Sequence, residues 1–535
     1  MAKFKDPLKN IGTRVTPQDQ PIPGTNQVPN NAGGYTFSLD DWKQLERFLI
    51  LGTEGGTYYV REQKLTADNA TLLLRCIQAD GPRVVQMVLD IDKDDRAPKM
   101  NPLIFSIAAT LATGTVEGRR AAEQAVQKVC RTGYHLYLFA GYVKNFKNIG
   151  GKVTKRAFSR WFTEKDVNSL SYQFIKYRQR EGWTMRDLLN LAHPKPSNES
   201  YAGLFKWAID TQYGNDVSVP TDIPLIVAFS ELQQTDSEAR VIELVRAHNL
   251  PWEALPDKFM NSKVVWAALL DSAIGYTALL RQLPRLTNLG LVKDLSYSTD
   301  RVVTMLTNPQ KIAASHVHPL ALLVALKQYS AGHGDKGQLT WVPVRMVIDA
   351  LDSAFYTSFD SIESTGKRHY LAIDVSGSMD MGSVAGSSLT PREGAAAMAM
   401  ASARTETNWC IYGFSDKLVD LGIGATDRLD NVIQKMSRLP FARTDCAQPM
   451  IDAQKRGLEV DCFSIFTDNE TYAGSLHPSQ AIQQYRSESG ISNASLVVCG
   501  MTSTGFTIAD PADDRMLDVV GMDASVPGLI SSFSR

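Results

Sequence analysis

The sequence predicts two architectures in series: an all-α repeat solenoid over residues 34–366, then an α/β domain with a doubly wound parallel sheet over residues 367–535. Three observations predict this. From Tyr35 to about Ser361 the apolar residues recur at helical spacing with hardly a period-two strand among them, so helix must stack on helix. After Gly366 short apolar runs alternate with amphipathic segments, which implies right-handed βαβ crossovers and a sheet covered on both faces. A chain of 535 residues is also too long for one hydrophobic core.

Residues 1–33 are polar, mildly basic and contain Pro and Asn, without the apolar centre of a secretory signal; they read as a flexible arm. In the helical region, Asp40 to Leu51, Ala67 to Gln78, Arg83 to Ile91, Arg119 to Cys130 and Val264 to Leu283 are segments separated by short polar or Gly/Pro connectors. That much helical pattern exceeds an ordinary bundle, and a solenoid in which each hairpin buries its neighbour's face accounts for it. No sharp period is visible, so the repeats are degenerate. In the second region, strands are expected at Tyr370 to Asp374, Trp409 to Phe414, Phe463 to Thr467 and Leu496 to Cys499. Helices are expected near Pro391 to Ala403, Asp430 to Arg438, Ala447 to Arg456 and His477 to Glu488. The final stretch, Asp518 to Arg535, is apolar enough to dock, with the solenoid as one place for it.

Composition bounds the function. With 44% apolar and 21% charged residues the chain is a soluble globular protein in type. A formal net charge of −1 means that any binding to nucleic acid must come from a local patch. The six cysteines are scattered and include no C-x-x-C pair, so neither a disulfide framework nor a zinc site is indicated. Leu103 to Ala112 is the nearest approach to a membrane span and falls well short of the roughly 18 apolar residues needed. A cytoplasmic monomer with no membrane partner is expected.

Two places carry chemistry. The run His369-Tyr370-Leu371-Ala372-Ile373 ends in Asp374-Val375-Ser376-Gly377-Ser378, which puts one carboxylate and two hydroxyls at alternate positions just past a strand end, where ligands collect in open α/β sheets. Such hard oxygens suit Mg²⁺, Mn²⁺ or Ca²⁺. Taken alone, the motif is equally a polar turn capping a helix. Arg443-Thr444-Asp445-Cys446 and Phe463 to Asp468 supply matching oxygens farther along. The three stretches together resemble the metal-ion-dependent adhesion site of von Willebrand factor A domains. On that resemblance Asp374, Ser376 and Ser378 form the first loop, Thr444 the second and Asp468 the third, holding Mg²⁺ or another divalent cation open to a carboxylate-bearing protein ligand.

The second place is basic. Between Gly141 and Lys195 stand twelve Lys or Arg against four Asp or Glu, a local net of +8. Leu170, Phe174 and Tyr177 make an apolar stripe at helical spacing, and Lys176 and Arg180 lie one helical turn apart on another face. Lys152, Lys155, Arg156 and Arg160 form a further cluster interleaved with Phe158 and Trp161. By charge alone this is a solvated face as readily as a polyanion site, and His193, just before a proline, is as readily a helix end.

The residues Lys176-Tyr177-Arg178-Gln179-Arg180-Glu181-Gly182-Trp183, then Asp187-Leu188-Leu189 and His193-Pro194-Lys195, resemble the Ro ribonucleoprotein family. So do Asp41-Trp42 through Arg47-Phe48-Leu49, Leu51-Gly52-Thr53-Glu54-Gly55-Gly56-Thr57-Tyr58-Tyr59, Ala278-Leu279-Leu280-Arg281 and His318-Pro319-Leu320. The likeness runs from about Asn31 to the C-terminus. It implies HEAT-like repeats closed into a ring, the TROVE module, followed by a von Willebrand factor A domain. It further implies a non-catalytic protein that binds small non-coding Y-like RNA on a basic outer surface and single-stranded RNA 3′ ends in the ring, with a role in RNA quality control or maturation beside a 3′ exoribonuclease. Lys176, Arg180 and His193 match positions tied to RNA in that family. Ala442 and Arg443 depart from it, since two glycines usually precede the Thr-Asp-Cys of the second metal loop.

Other classes were weighed on the residues. A metal-dependent nuclease needs clustered carboxylates for two ions. Gly150-Gly151-Lys152-Val153 lacks the spacing and final hydroxyl of a phosphate loop. His316-Val317-His318 is a two-ligand metal fragment or a turn before Pro319. A metal-dependent adhesion module without an RNA role rests on the A domain alone.

Overall fold

The computed structural model describes residues 15–211, 217–272, 274–334, 338–359, 363–436, 438–440 and 442–535. Two short strands come first, β1 (Gln27–Pro29) and β2 (Tyr35–Ser38). Residues 1–14 of the expected arm lie outside the described residues. The remainder of that arm is built into the protein: Gln18 is fully buried, and β1 pairs antiparallel with β2. Period and composition missed this because the ordering contacts are to residues more than 400 positions away.

Helices then follow from Asp41–Leu51 to Arg345–Thr357, each packed on neighbours one or two along the chain. Asp40 caps the first, its carboxylate accepting from the N–H of Trp42 and Lys43. The two segments expected on either side of Asp80 form one long helix, Glu62–Lys93, broken at Asp80 (φ −158°, ψ 83°) just ahead of Pro82. Val264 to Leu283, read as one segment, is two helices, Lys263–Ser272 and Tyr276–Asn288, the second starting at Gly275. A two-residue hairpin, β3 (Gln179–Arg180) and β4 (Trp183–Thr184), interrupts the helices.

The end of the array returns to its beginning. His316 Nδ1 lies 2.6 Å from Asp95 Oδ2, and His318 Nε2 lies 3.3 Å from the Arg96 carbonyl oxygen. The helices therefore close into a ring. The two histidines play different parts in the seam. His316 is the left-handed C-cap of Pro309–Ser315, whereas buried His318 caps Pro319–Ala331, its Nδ1 accepting the Leu320 N–H at 3.0 Å. With Nδ1 an acceptor, Nε2–H is the donor to Arg96, so the ring is neutral.

Burial pushes the His318 imidazole down to about 4, with the Arg96 carbonyl opposing. An unfolded His titrates near 6.5, so the unfolded chain binds the extra proton first, and stability present above pH 6.5 is lost as pH falls toward 4. Between pH 7 and pH 5 this one residue should cost about 2 kcal/mol. Urea unfolding of His318→Asn, which keeps an N-cap acceptor, should be less pH-dependent than wild type by about that amount. A profile parallel to wild type would contradict it.

The α/β domain has β5 (Arg368–Asp374), β6 (Asn408–Phe414), β7 (Leu418–Val419), β8 (Cys462–Thr467), β9 (Ser495–Gly500), β10 (Phe506–Thr507) and β11 (Met516–Val520). The main sheet runs β11-β9-β8-β5-β6-β7, parallel except for β7. Every residue of β8 and β9 is buried, as a sheet covered on both faces requires. One cover is Pro391–Thr405, whose run of Ala, Gly and Met lets it be enclosed on nearly all sides. A Cβ at Gly394 would stand 2.6 Å from Met522 Sδ. The C-terminal stretch is built into this domain and also meets the ring: β11 is the sheet edge and contacts the first ring helix, and Ser525–Ser534 packs on Pro391–Thr405.

The domain bridges both ends of the ring. Strand β10 pairs with β2. Arg47, 1% exposed, donates to the carbonyls of Thr504 and Phe506 and to Asp518 on β11. Arg96 donates to Val520 O at 3.1 Å, Lys327 pairs with Glu393 at 2.7 Å, and Leu429 N donates to Asp352.

Candidate functional site

The helical part of the site is a basic surface. Val167–Lys176 ends at Lys176, and Tyr177 is its C-cap, so Lys176 and Arg180 are not successive turns of one helix as their spacing suggested. Arg180 stands on β3 opposite Trp183. The turn between them, Glu181 (φ 53°) and Gly182 (φ 74°), has both central residues left-handed, which twists with the strands as a tight hairpin needs. The Glu181-Gly182 dipeptide was the signal that helical spacing concealed.

Lys176 Nζ sits 5.6 Å from the ring centres of both Tyr172 and Tyr177, and Lys144 Nζ stands 5.6 Å over Trp183. Exposed Arg180 has its own Gln179 carbonyl as hydrogen-bond partner. Arg178 instead reaches the Glu253 carbonyl and the Phe229 ring and serves packing. His193 is the left-handed C-cap of Met185–Ala192; its backbone N–H closes the helix on Leu189 O and its imidazole is exposed.

Lys152, Lys155, Arg156 and Arg160 all lie on Lys152–Thr163. Phe158 and Trp161 between them are buried core residues, unable to stack on a base. Arg156 is engaged by Glu123 in a two-bond fork of 2.8 and 2.6 Å, and Arg160 pairs with Glu164 at 2.6 Å. Across a groove of about 460 Å³ they face Arg119 and Arg120 of Val116–Val129. Those two arginines lie outside the basic stretch counted in the sequence and join the surface only through tertiary packing.

The second part lies at the C-terminal ends of β5 and β8. Asp374 Oδ1 accepts the Ser376 N–H at 2.9 Å, and Ser376 Oγ is 3.2 Å from Ser378 Oγ. Ser378 stands close enough to the Asp468 carboxyl to favour its charged form. The second loop is knitted to both others: Ala442 O accepts the Gly377 N–H, and Thr444 O accepts the N–H groups of Tyr472 and Ala473. The Thr444 side chain is buried beside them. Arg443 does not enter the site. Its side chain is 67% exposed and lies 3.8 Å from Asp416.

Asp374 and Asp468 are both buried, and no described Lys or Arg pairs with either. Burial pushes the Asp374 carboxyl up, opposed by hydrogen bonds from Ser376 and Thr467. Burial, then the Asp374 charge, pushes Asp468 well above its usual range. Two facing carboxylates with hydroxyls between them, out of water, match the donor set of a hard divalent cation, whose charge would favour their ionised forms. Among the described residues no group of three or more His, Cys, Asp or Glu could hold a metal ion.

Two supporting residues escaped the sequence reading. Thr467 Oγ1 donates to Asp374 Oδ2 at 2.6 Å, fixing the carboxylate. Arg392, fully buried, donates to the carbonyls of Val375 and Ser376 at 3.0 and 2.9 Å and holds the first loop's backbone. Among the described residues no helix is long and apolar enough to cross a membrane.

Comparison with known proteins bears on both parts. Residues 28–328 match the TROVE domain model and residues 368–534 the Ro60 vWA domain model. The RNA-binding protein RO60 of Deinococcus radiodurans is 36% identical over 537 residues, covering 99% of each chain. Its namesake in Caenorhabditis elegans is 33% identical over 580 residues, covering 95% of this chain and 90% of the relative. The crystal structure of the Deinococcus radiodurans RO (RSR) protein superposes with a TM-score of 0.69, covering 93% of this chain and 99% of that one. With a ring of helices, an A-type domain bridging its ends, and identity of this order along nearly its whole length, the chain belongs to the Ro60 family.

Proposed function

We propose that this protein binds RNA without catalysing a reaction on it, holding a structured, Y-like small RNA on the basic surface and passing a single-stranded 3′ end through the ring. The observation that supports it most is the set of free cations on neighbouring elements of the helical region: Lys176, Arg180, Lys152 and Lys155 have no described carboxylate partner and can meet phosphates without first breaking an ion pair. His193 adds an exposed ring beside the hairpin helix. Arg156 and Arg160 contribute after exchanging Glu123 and Glu164 for phosphate, so their contribution is smaller. On the family likeness the setting is RNA quality control or maturation, with a 3′ exoribonuclease as a further partner, in the cytoplasm.

In the A domain, Asp374, Ser376, Ser378, Thr444 and Asp468 would hold one Mg²⁺ or similar cation. When bound, that ion supplies a fixed positive charge between the two buried carboxylates. Asp374 and Asp468 would orient it, and Thr467 and Arg392 hold the loops in place. Asp374→Ala should abolish divalent-ion binding measured by calorimetry while changing RNA affinity less than about twofold, because the cations above lie in the helical ring. Equal loss of both would overturn this division of labour. Protein isolated from cells should carry RNA, read by ultraviolet absorbance and sequencing; a preparation free of nucleic acid that also fails to retain added structured RNA would favour an adhesion module instead.

A further inference from the structure

The three loops of the metal site do not stand open to an outside ligand. The proposed ligands are nearly inaccessible: Asp374 and Ser376 are 0% exposed, Thr444 1%, Asp468 2% and Ser378 5%. Each of the three loops is gripped by a residue from the first sixty positions of the chain.

The first loop runs on to Gly386 and meets the ring's 52–60 loop. Ser383 Oγ donates to Glu54 O at 3.3 Å, and Lys99 Nζ joins Gly386 O (3.2 Å) to Glu54 Oε2 (2.5 Å). The approach is so close that a Cβ at Gly55 would fall 2.0 Å from Ser383 Oγ, and one at Gly382 would fall 3.1 Å from Gly56 O. Gly55, Gly56 and Gly382 also have positive φ, so glycine is required on both grounds. The second loop is held by Gln18, whose Nε2 donates to Asp445 Oδ1 at 2.6 Å. On the third loop the Glu470 carboxylate accepts from Asn31 N, Asn31 Nδ2 and Ala32 N at 2.9, 2.7 and 3.0 Å. There too a Cβ at Gly34 would meet Thr471 O at 2.0 Å.

We propose that the A-domain cation acts as an interdomain tether, sealed by the chain's own 15–34 and 53–60 segments through Gln18, Asn31 and Glu54, instead of serving as an adhesion site for an external carboxylate. The inference rests on the metal reading above. An ion that orders three loops also orders whatever grips them, so ion binding and docking of the N-terminal segments are thermodynamically linked, each strengthening the other.

The test uses full-length protein with Mn²⁺ as the probe. Mn²⁺ should slow amide exchange in residues 15–34 and 53–60 as well as in the metal loops, and acetate should leave the electron paramagnetic resonance spectrum of bound Mn²⁺ unaltered. Asn31→Ala, at an exposed position and removing one of the three bonds to Glu470, should weaken Mn²⁺ binding about 10-fold, the scale seen when a group supporting metal ligands is removed. Unchanged exchange in the two segments, or Asn31→Ala binding Mn²⁺ like wild type, would overturn the tether while leaving the metal site standing. Failure of wild-type protein to bind Mn²⁺ at all would overturn both.

Discussion

Replacing Arg47 with Met should lower the unfolding free energy by about 3–5 kcal/mol, the usual cost of leaving one partner of a buried ion pair alone. The Arg47 side chain is 1% exposed and Asp518 is 12% exposed. The guanidinium also satisfies the carbonyls of Thr504 and Phe506, at 3.1 and 3.0 Å. Space for it is reserved at Gly500, where a Cβ would lie 3.0 Å from Arg47 Nη2. These contacts join the first ring helix to the strand edge of the A domain, so the loss should undock the two as well as soften the core. Urea unfolding followed separately by ring and A-domain fluorescence should show two separated transitions where wild type is expected to show one. Arg47→Met combined with Asp518→Leu should recover part of the loss, because removing both charges leaves no ion stranded. A single substitution costing under about 1 kcal/mol would mean that the charges are hydrated and the docking is held elsewhere.

Lys176→Ala with Arg180→Ala should weaken binding of a structured small RNA by up to about 60-fold at 0.1 M salt and flatten the slope of log K against log salt by up to about 1.8, if each residue releases one condensed cation from a duplex. A single-stranded 3′ tail should lose much less. Lys176 stands at a helix end over two tyrosines and Arg180 on a hairpin arm, so the pair presents two charges on separate elements and follows a shaped surface better than a straight strand. Stability should change by under about 0.5 kcal/mol, as for exposed charge truncations in general. Filter binding at several salt concentrations reads both quantities. An unchanged slope with unchanged affinity would make the pair ordinary solvated charges, and equal losses for both RNAs would mean that one surface serves both.

What the sequence determined by itself were the local alternations. The strands ending in Asp374 and Asp468 were legible because buried parallel strands are short apolar runs that stop abruptly at polar turns, and β5 and β8 lie within one or two residues of expectation. Helical spacing likewise marked Asp41–Leu51 and Pro391–Thr405, each with a side-chain cap at its start. Where spacing alone was used, it carried the helix too far, through Arg180, because a hairpin of two-residue arms leaves no period to read and only its Glu-Gly turn betrays it. Tertiary structure alone decided the rest. The ring closes where buried His318 finds the Arg96 carbonyl. The segment after Thr16 is ordered because Gln18 finds Asp445, Leu476 and Thr471. Arg392, on the helix Pro391–Thr405, holds the loop after β5 by its carbonyls. In each case the physical reason is the same: a buried polar group is stable only when its hydrogen bonds are met, and here the partners that meet them are supplied by distant parts of the chain, a pairing that composition and periodicity do not encode.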